Sequence, residues 1–285
     1  MTTPRTNIDP QIIEIIRRAL YEDIGDGDVT TLTTVPLDLW MTGNFVARAD
    51  GVIAGLEIAA LAFELLDERV EVHIQVSDGT RVEPLQVLAQ LKGPARALLT
   101  GERTALNLLQ RMSGIATTTQ RYVQAVQGTR AVILDTRKTV PGLRVLDKLA
   151  VRLGGGTNHR TGLYDMALIK NNHITAVGGD LAEAVRRVRQ GDPQHRPVEI
   201  EVRSLEQLIQ ALELDVDRIL LDNMNTSQLR QAVELTKGRI PLEASGGVTL
   251  ESVSEIARTG VDFISVGALT HSVQALDISL WLDEV

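Results

Sequence analysis

The pattern of hydrophobic and polar positions divides the chain into two parts. In the first part, Asp9 and Pro10 are typical of a helix N-cap and first turn. Helical spacing of apolar residues predicts helices over 10–21, 56–67 and from about Glu102 onward. Strands are predicted over 43–54, 70–76 and 87–91. This mixture indicates an α+β module of about a hundred residues.

In the second part, short apolar runs each end in a charged residue or a glycine and are followed by a helical segment. The runs occupy 131–134, 166–169, 198–200, 218–221, 240–242 and 261–266. Near-continuous apolar strands separated by helices predict a parallel sheet that is buried on both faces. The residues that follow the runs are 35, 31, 21, 21 and 24 positions apart, which are βα-unit lengths, and they are Asp135, Lys170, Glu201, Asp222, Glu243 and Gly267.

This second region is too short for eight βα units, which usually need about 250 residues. We therefore expect an α/β protein, with an incomplete α/β barrel of six or seven strands and an N-terminal α+β sandwich domain. The barrel is assigned to residues 114–271. The first domain is assigned to residues 1–113, together with a returning C-terminal segment at 272–285.

Composition excludes several classes of function. The chain has no cysteine, which excludes disulfides, a thiol nucleophile and a thiolate metal site. The net charge of −8 argues against binding to nucleic acid or to an anionic membrane. The apolar run at 12–20 contains Glu14, Arg17 and Arg18, so it lacks the apolar centre of a signal peptide, and we see no membrane span. We expect a soluble enzyme in the cytoplasm.

The average charge conceals a basic segment between Arg137 and Lys170. Seven basic and two acidic residues give this segment a charge of +5, which leaves −13 for the remainder. A solvated basic helix is the ordinary explanation. However, Arg137, Lys138 and Lys170 follow predicted strands, and side chains at the carboxyl ends of barrel strands share one site. The sequence therefore predicts an anion-binding pocket.

Three glycine-containing segments are candidates for ligand contacts through the backbone. Residues 154–156 precede His159 and Arg160. Residues 245–247 run into a helix predicted near Thr249, and residues 266–268 precede another helix start near Ser272. Helix N-termini bind phosphate through free N–H groups. The alternative for 154–156 is a flexible loop, and the alternative for the other two segments is that their glycines are needed only for tight turns.

Glu201 and Asp222 would repel a bound polyanion unless a cation or a hydroxyl-rich sugar lies between them. Mg²⁺ is the expected cation, held partly through water, because it takes few protein carboxylates and bridges to substrate phosphates. The alternative is that both carboxylates form ion pairs with Lys138 or Lys170.

The order of motifs resembles the quinolinate phosphoribosyltransferase family over nearly the whole chain. The matching segments are 22–30, 101–104 with Asn107, 113–117, 135–139, 154–156 with 158–160, 168–170 with 172–173, 243–247 and 265–271. Asn171 departs from the pattern, because the family usually has an acidic residue at this position. A contact made by that carboxylate therefore does not carry over to this chain.

The resemblance implies de novo NAD biosynthesis, with quinolinate and phosphoribosyl diphosphate as substrates and nicotinate mononucleotide, diphosphate and carbon dioxide as products. It implies Mg²⁺ at Glu201 and Asp222, and catalytic roles for Lys138, Lys170 and the same two acids. It also implies a homodimer or a higher oligomer in which Arg103 reaches the partner's pocket. The implied substrate-binding residues are Arg103, Thr136, Arg137, Lys138, His159, Arg160, Lys170, Glu201, Asp222, Ser245, Gly246, Gly247, Val266, Gly267, Ala268 and His271.

Three other functions stay open at this point. The chain could be a sibling phosphoribosyltransferase that acts on a different ring carboxylate, such as nicotinate. It could be a barrel lyase in which Lys170 forms a Schiff base. It could also be a non-catalytic sensor of phosphorylated sugars, but then Glu201 and Asp222 would have no evident use.

Overall fold

A computed structural model of the chain describes residues 8–284. The helices are α1 (Pro10–Ile24), α2 (Val29–Thr34), α3 (Leu56–Glu64), α4 (Ala95–Ala125), α5 (Arg144–Leu153), α6 (Asn171–Ala176), α7 (Leu181–Gly191), α8 (Leu205–Ala211), α9 (Thr226–Thr236), α10 (Leu250–Ala257) and α11 (Ala268–His271). The strands are β1 (Trp40–Ala47), β2 (Gly51–Val52), β3 (Glu71–Ile74), β4 (Arg81–Val82), β5 (Val87–Pro94), β6 (Val132–Leu134), β7 (Ala167–Ile169), β8 (Val198–Val202), β9 (Arg218–Asp222), β10 (Leu242–Ser245), β11 (Phe263–Ser265) and β12 (Ile278–Glu284).

The chain groups into two compact units. One contains the residues up to 118, residues 140–155 and the residues from 273 onward, and the other contains 119–139 and 156–272. The contacts thus place 140–155 with the first unit, whereas the sequence division placed them in the barrel. The predicted domain division stays a prediction, and its residues 1–7 and 285 lie outside the described residues.

The first unit is built on a four-stranded antiparallel sheet in the order β12-β1-β5-β3. Phe45 of β1 is paired with Leu280 of β12 on one side and with Ala89 of β5 on the other. Its ring is fully buried and lies 6.1 Å, centroid to centroid, from that of Phe63 in α3. The C-terminal strand β12 therefore lies beside β1, where the sequence placed a returning segment.

Two predicted elements of this unit were wrong in their bounds. The predicted helix at Glu102 begins seven residues earlier, at Ala95, because Gly101 reads as a helix breaker but is an interior residue of α4. A Cβ atom at Gly101 would lie 2.8 Å from Cδ1 of Phe63, so glycine allows α3 and α4 to approach closely. The predicted strand over 43–54 is two strands, β1 and β2, separated by a bend before the Asp50–Gly51 step. Helix α2 was not predicted.

The second unit is an α/β barrel of six parallel strands in the order β6-β11-β10-β9-β8-β7. Consecutive strands β6 and β7 lie at the two edges, and no pairing between them is found among residues 8–284, so the barrel is open there. Thr157 forms a single parallel bridge to Leu134 at the outer side of β6. The prediction of an α/β protein with an incomplete barrel of six or seven strands and an N-terminal α+β sandwich domain is confirmed.

The strands of the barrel continue through charged residues that the sequence patterns treated as strand ends. Strand β8 is buried at every position although it contains Glu199 and Glu201. Strand β10 begins at Leu242 and passes through Glu243, two positions later than the predicted run at 240–242. Because side chains alternate between the two faces of a strand, Glu199, Glu201 and Glu243 lie on the same face of the sheet as Leu220 of β9. The neighbouring aliphatic residues lie on the other face, towards the helices.

Within the described residues, no helix has both the length and the apolar character needed to cross a bilayer.

Candidate active site

A cavity of about 530 Å³ opens at the carboxyl ends of the barrel strands, which is the edge where parallel barrels carry their sites. Every residue that lines it belongs to the second unit. The lining residues are Thr136, Arg137, Lys138, His159, Arg160, Leu168, Lys170, Glu201, Leu220, Asp222, Asn223, Glu243, Ser245, Gly246, Gly247, Val248, Thr249, Ser265, Gly267, Ala268 and His271. The cavity therefore contains all the predicted site residues except Arg103 and Val266.

These two residues lie elsewhere. Val266 is fully buried, and its backbone N–H donates to the carbonyl of Leu134 at 2.9 Å. Its side chain belongs to the hydrophobic core and does not line the cavity, and its predicted substrate contact stays a prediction. Arg103 is an exposed residue of α4 in the first unit, and its role across a subunit interface stays a prediction.

The basic segment is divided between two places. Arg137, Lys138, Arg160 and Lys170 line the cavity. In contrast, Arg144, Lys148 and Arg152 belong to α5 in the first unit, and Lys148 is buried. Only part of the local excess of positive charge thus serves the predicted anion pocket.

The two cavity arginines are prepared for an anionic ligand. Arg160 donates from Nη1 to the carbonyl of Met166 at 3.1 Å, which fixes its orientation. Burial, together with the nearby positive charge of Arg137, lowers the pKa of Arg160. Nε of Arg137 is buried and has no hydrogen-bond partner among the described residues. Because an unpaired buried donor is costly, a ligand that accepts from Arg137 would be favoured.

His159 is held by the chain around it. Its backbone N–H donates to Oδ1 of the buried Asp135 at 2.8 Å, and the backbone N–H of Arg160 donates to its Nδ1 at 2.7 Å. Its Nε2 lies 3.0 Å from Oε2 of Glu199 and 3.3 Å from Oε2 of Glu243. Both ring nitrogens therefore face protein groups, and the side chain is only 7% exposed.

Two opposing effects act on the protonation of His159. Burial disfavours the charged ring, but the two carboxylates outweigh it and raise the pKa of His159 to about 9. In the neutral ring, Nδ1 accepts the hydrogen bond from Arg160, so the single ring proton is on Nε2, which faces the two carboxylates. His159 thus connects the loop that carries Arg160 to a buried anionic layer.

The buried layer beneath the cavity contains Glu199, Glu243, Arg218 and Ser265. Arg218 donates from Nη1 to Oε2 of Glu243 at 2.9 Å, and Ser265 donates to Oε1 of the same carboxylate. His159 and Arg218 hold the pKa of Glu243 below its usual value despite burial. Desolvation raises the pKa of Glu199. Both of its carboxylate oxygens are buried without a hydrogen-bond donor within residues 8–284. The 3.0 Å distance from Oε2 of Glu199 to Nε2 of His159 is an ion-pair contact.

The donor atoms of His159, Glu199 and Glu243 lie within 4.8 Å of one another and could in principle hold a metal ion. Arg218 already occupies Glu243, and a cation here would also meet the ring proton of His159. We assign this cluster to internal ion pairing. Sequence reasoning missed Glu199 because it lies within an apolar run; a charge inside a predicted buried strand was the available signal.

The cavity is also lined by Glu201 and Asp222, at the ends of β8 and β9. Their side chains are 10% and 18% exposed. The predicted alternative paired them with Lys138 or Lys170, but both instead contact Arg203: Nη2 lies 3.4 Å from Oε1 of Glu201, and Nε lies 3.1 Å from Oδ2 of Asp222. Sequence reasoning had not identified Arg203 as part of the site.

The segment 245–247 forms a tight glycine turn before α10, whose N-cap is Thr249, as predicted. Gly246 has φ of +102°, and a Cβ atom there would lie 2.3 Å from Oδ1 of Asn223. Gly247 has φ of +61° but open space around it. This turn needs glycine and leaves room for a ligand.

The other two glycine segments differ from their predictions. Helix α11 begins at Ala268, directly after Gly267, and ends before Ser272, where a helix had been predicted to begin. In the 154–156 segment, the N–H of Gly154 donates to the carbonyl of Ala150, and that of Gly155 to the carbonyl of Arg152. The N–H groups of Gly154 and Gly155 therefore terminate α5, and a ligand contact through this segment stays a prediction.

Comparison with known proteins agrees with this arrangement. Two family profiles match, described as quinolinate phosphoribosyl transferase, N-terminal domain, over residues 28–113, and C-terminal domain, over residues 115–281. The nicotinate-nucleotide pyrophosphorylase (carboxylating) of Mycobacterium leprae (strain TN) is 51% identical over 276 residues, which cover 94% of this chain and 95% of that protein.

Solved structures show the same fold. NadC from Streptococcus pyogenes matches with a TM-score of 0.94 and 39% identity, covering 98% of this chain and 99% of that chain. The nicotinate-nucleotide pyrophosphorylase from Francisella tularensis matches with a TM-score of 0.90 and 38% identity, covering 99% and 100%. The chain therefore belongs to the quinolinate phosphoribosyltransferase family.

Proposed function

We propose that this chain transfers the phosphoribosyl group of phosphoribosyl diphosphate to quinolinate and releases carbon dioxide, forming nicotinate mononucleotide and diphosphate for NAD biosynthesis. The observation that carries the proposal is one barrel cavity lined both by cations and by two strand-end carboxylates with a glycine turn. The two substrates together bring about six to seven negative charges into this cavity.

Three of the cations that line the cavity suit the dicarboxylate ring of quinolinate. Arg137 and Arg160 offer planar guanidinium donors, which match carboxylate geometry, and Lys170 adds a point charge. His159 supports these cations through the backbone of Arg160. We further propose that the partner subunit of a homodimer supplies Arg103, which lies on an exposed helix face of the first unit.

The remaining cation, the two carboxylates and the glycine turn suit the phosphorylated sugar. Lys138 would contact the diphosphate, and the turn at 245–247 would accept the 5′-phosphate near the start of α10. Glu201 and Asp222 fit Mg²⁺ in their chemistry, since they are oxygen donors on adjacent strands that line the cavity. When bound there, Mg²⁺ would neutralise charge that develops on the leaving diphosphate.

The protein groups contribute mainly alignment and electrostatic stabilisation. The ring nitrogen of quinolinate attacks the anomeric carbon as the bond to diphosphate breaks, and the cavity holds both partners in line. The carboxylate next to the positively charged ring nitrogen then leaves as carbon dioxide, and its bonding electrons remain on the ring carbon. Lys170 is the better placed proton donor for this carbon, because both nitrogens of His159 face protein groups.

The test is incubation of the protein with quinolinate, phosphoribosyl diphosphate and Mg²⁺, with measurement of carbon dioxide and the mononucleotide. Nicotinate in place of quinolinate should give little product, because a single carboxylate uses fewer of the cavity cations. Product with nicotinate but not with quinolinate would contradict the proposal and indicate a phosphoribosyltransferase that acts on a different ring carboxylate. Borohydride trapping of a substrate on Lys170 would instead indicate a Schiff-base lyase, although Lys170 is exposed and lacks the apolar surroundings that favour that chemistry.

A further inference from the structure

Arg203 is a charged residue of the site to which the proposed function gives no task. It follows β8 directly, two positions after Glu201, and its guanidinium contacts the carboxylates of both Glu201 and Asp222. The contacts are 3.4 Å from Nη2 to Oε1 of Glu201 and 3.1 Å from Nε to Oδ2 of Asp222. These carboxylates are also the proposed Mg²⁺ ligands, so one arginine and one metal ion would share the same two carboxylates.

The most exposed member of this group is the arginine side chain. Its backbone is fixed, because the N–H of Arg203 donates to Oε1 of Gln207 at 2.8 Å. Its side chain is 54% exposed, whereas those of Glu201 and Asp222 are 10% and 18% exposed. The guanidinium can therefore move into solvent at little cost, while the carboxylates stay in the cavity wall.

Neighbouring groups hold the carboxylates from other directions. The backbone N–H of Asn171 donates to Oε1 of Glu201 at 3.3 Å, and Nδ2 of Asn223 donates to Oδ1 of Asp222 at 2.9 Å. These donors are neutral. Among the described contacts of the two carboxylates, Arg203 is the charged one.

We infer that Arg203 is an internal counter-cation that competes with Mg²⁺ for Glu201 and Asp222. In the ligand-free protein it screens two carboxylates that would otherwise repel each other. A divalent cation at the same oxygens would meet the guanidinium as a like charge and must displace it. Metal binding by the protein alone is then weak, and it becomes favourable when the diphosphate substrate supplies further oxygen ligands. Arg203 is in this sense a positioning residue that couples metal binding to substrate binding.

This inference rests on the proposed function only in the assignment of Glu201 and Asp222 as metal ligands. The test is a titration of the whole protein with Mn²⁺ alone, a paramagnetic substitute for Mg²⁺, in which free Mn²⁺ is measured by electron paramagnetic resonance. Arg203→Gln should bind Mn²⁺ about three- to tenfold more tightly than the unaltered protein, as expected from removal of a partly exposed competing cation. Arg203→Lys, which keeps the charge but not the two-point contact, should lie between the two.

Arg186→Gln is the matched control. Its side chain is 53% exposed and pairs with Glu183, so it removes the same charge from a comparably exposed ion pair elsewhere in the same unit. It should leave the Mn²⁺ dissociation constant unchanged. Adding Glu201→Gln and Asp222→Asn to the Arg203→Gln variant should abolish the gain.

Three results would overturn the inference. They are an unchanged or weaker affinity in Arg203→Gln, a gain that survives loss of both carboxylates, and no measurable Mn²⁺ binding in any variant. Thermal unfolding of each variant verifies that it is folded. Because the titration contains neither quinolinate nor phosphoribosyl diphosphate, a protein that lacks transferase activity but shows the expected Mn²⁺ affinities would refute the proposed function alone.

Discussion

Replacement of Arg160 by Gln tests the proposed binding of the dicarboxylate directly. The guanidinium lines the cavity, and its bond to the carbonyl of Met166 at 3.1 Å orients it before any ligand arrives. A charge-assisted hydrogen bond to a ligand contributes about 1.5–3 kcal/mol, so its loss should raise KM for quinolinate about 10- to 150-fold. KM for phosphoribosyl diphosphate should change far less.

The same substitution has an opposite effect on the ligand-free protein. Burial and the charge of Arg137 lower the pKa of Arg160, which means that the folded state disfavours its charge. Removing that charge relieves repulsion, so the free energy of unfolding should stay constant or rise. A raised KM without lost stability is the signature of a binding residue, whereas a structural residue would lose both.

The assay is steady-state kinetics with each substrate varied in turn, together with calorimetric titration of quinolinate and a urea unfolding curve. Arg186→Gln, which removes an arginine charge outside the cavity, serves as the control and should match the unaltered protein. A KM for quinolinate within about twofold of the unaltered value would refute the reasoning, since one lost charged contact must exceed that change.

Other predictions concern the buried histidine, the glycine turn and the subunit interface. Because the pKa of His159 is raised to about 9, its contribution to stability should be fully present below its ordinary pKa of 6.5 and be lost as pH rises through about 9. Unfolding curves of His159→Gln, measured across this pH range, should lack this loss. Identical pH profiles for the two proteins would show that the backbone bond to Nδ1 keeps the ring neutral. Gly246→Ala should lower the free energy of unfolding by about 1–3 kcal/mol and weaken phosphoribosyl diphosphate binding. Gly247→Ala, which has open space around it, should lower the free energy of unfolding by about 1 kcal/mol. Equal losses in unfolding experiments would contradict the steric argument. Arg103→Ala and Lys170→Ala should each be nearly inactive alone, but co-refolding them should restore up to about a quarter of the activity through mixed dimers with one intact site. No recovery after mixing, with dimers present, would place both residues in one subunit's site.

The order of elements in the barrel could be predicted because each apolar run is short and is followed by a helix. The direction of individual side chains could not. Val266 was predicted to bind substrate because it precedes Gly267, but neighbouring positions on a strand face opposite sides, and Val266 faces the core. Similarly, the glycine triplet at 154–156 gave no indication that its first two N–H groups terminate α5.

The partners of the charged residues were the hardest feature to predict. Glu201 and Asp222 were recognised as strand-end acids, yet Arg203, which follows β8, also contacts Asp222 of the adjacent strand β9, 19 positions later in the chain. Which cation reaches a carboxylate depends on strand register and side-chain length. A sequence pattern specifies neither, so Lys138 and Lys170 seemed equally good partners before the register of β8 and β9 was known.

The buried acids explain how the ligand-free barrel can hold several cations close together. Burial and the charge of Arg137 lower the pKa of Arg160, and with no anion bound the repulsion between the two guanidinium groups would favour an open or rearranged cavity. Glu199 and Glu243 place negative charge beneath them, and His159 links this layer to the backbone of Arg160. Both carboxylates are buried, so solvent screens them little. The anion pocket is therefore preorganised by buried carboxylates whose partners are groups of the protein itself.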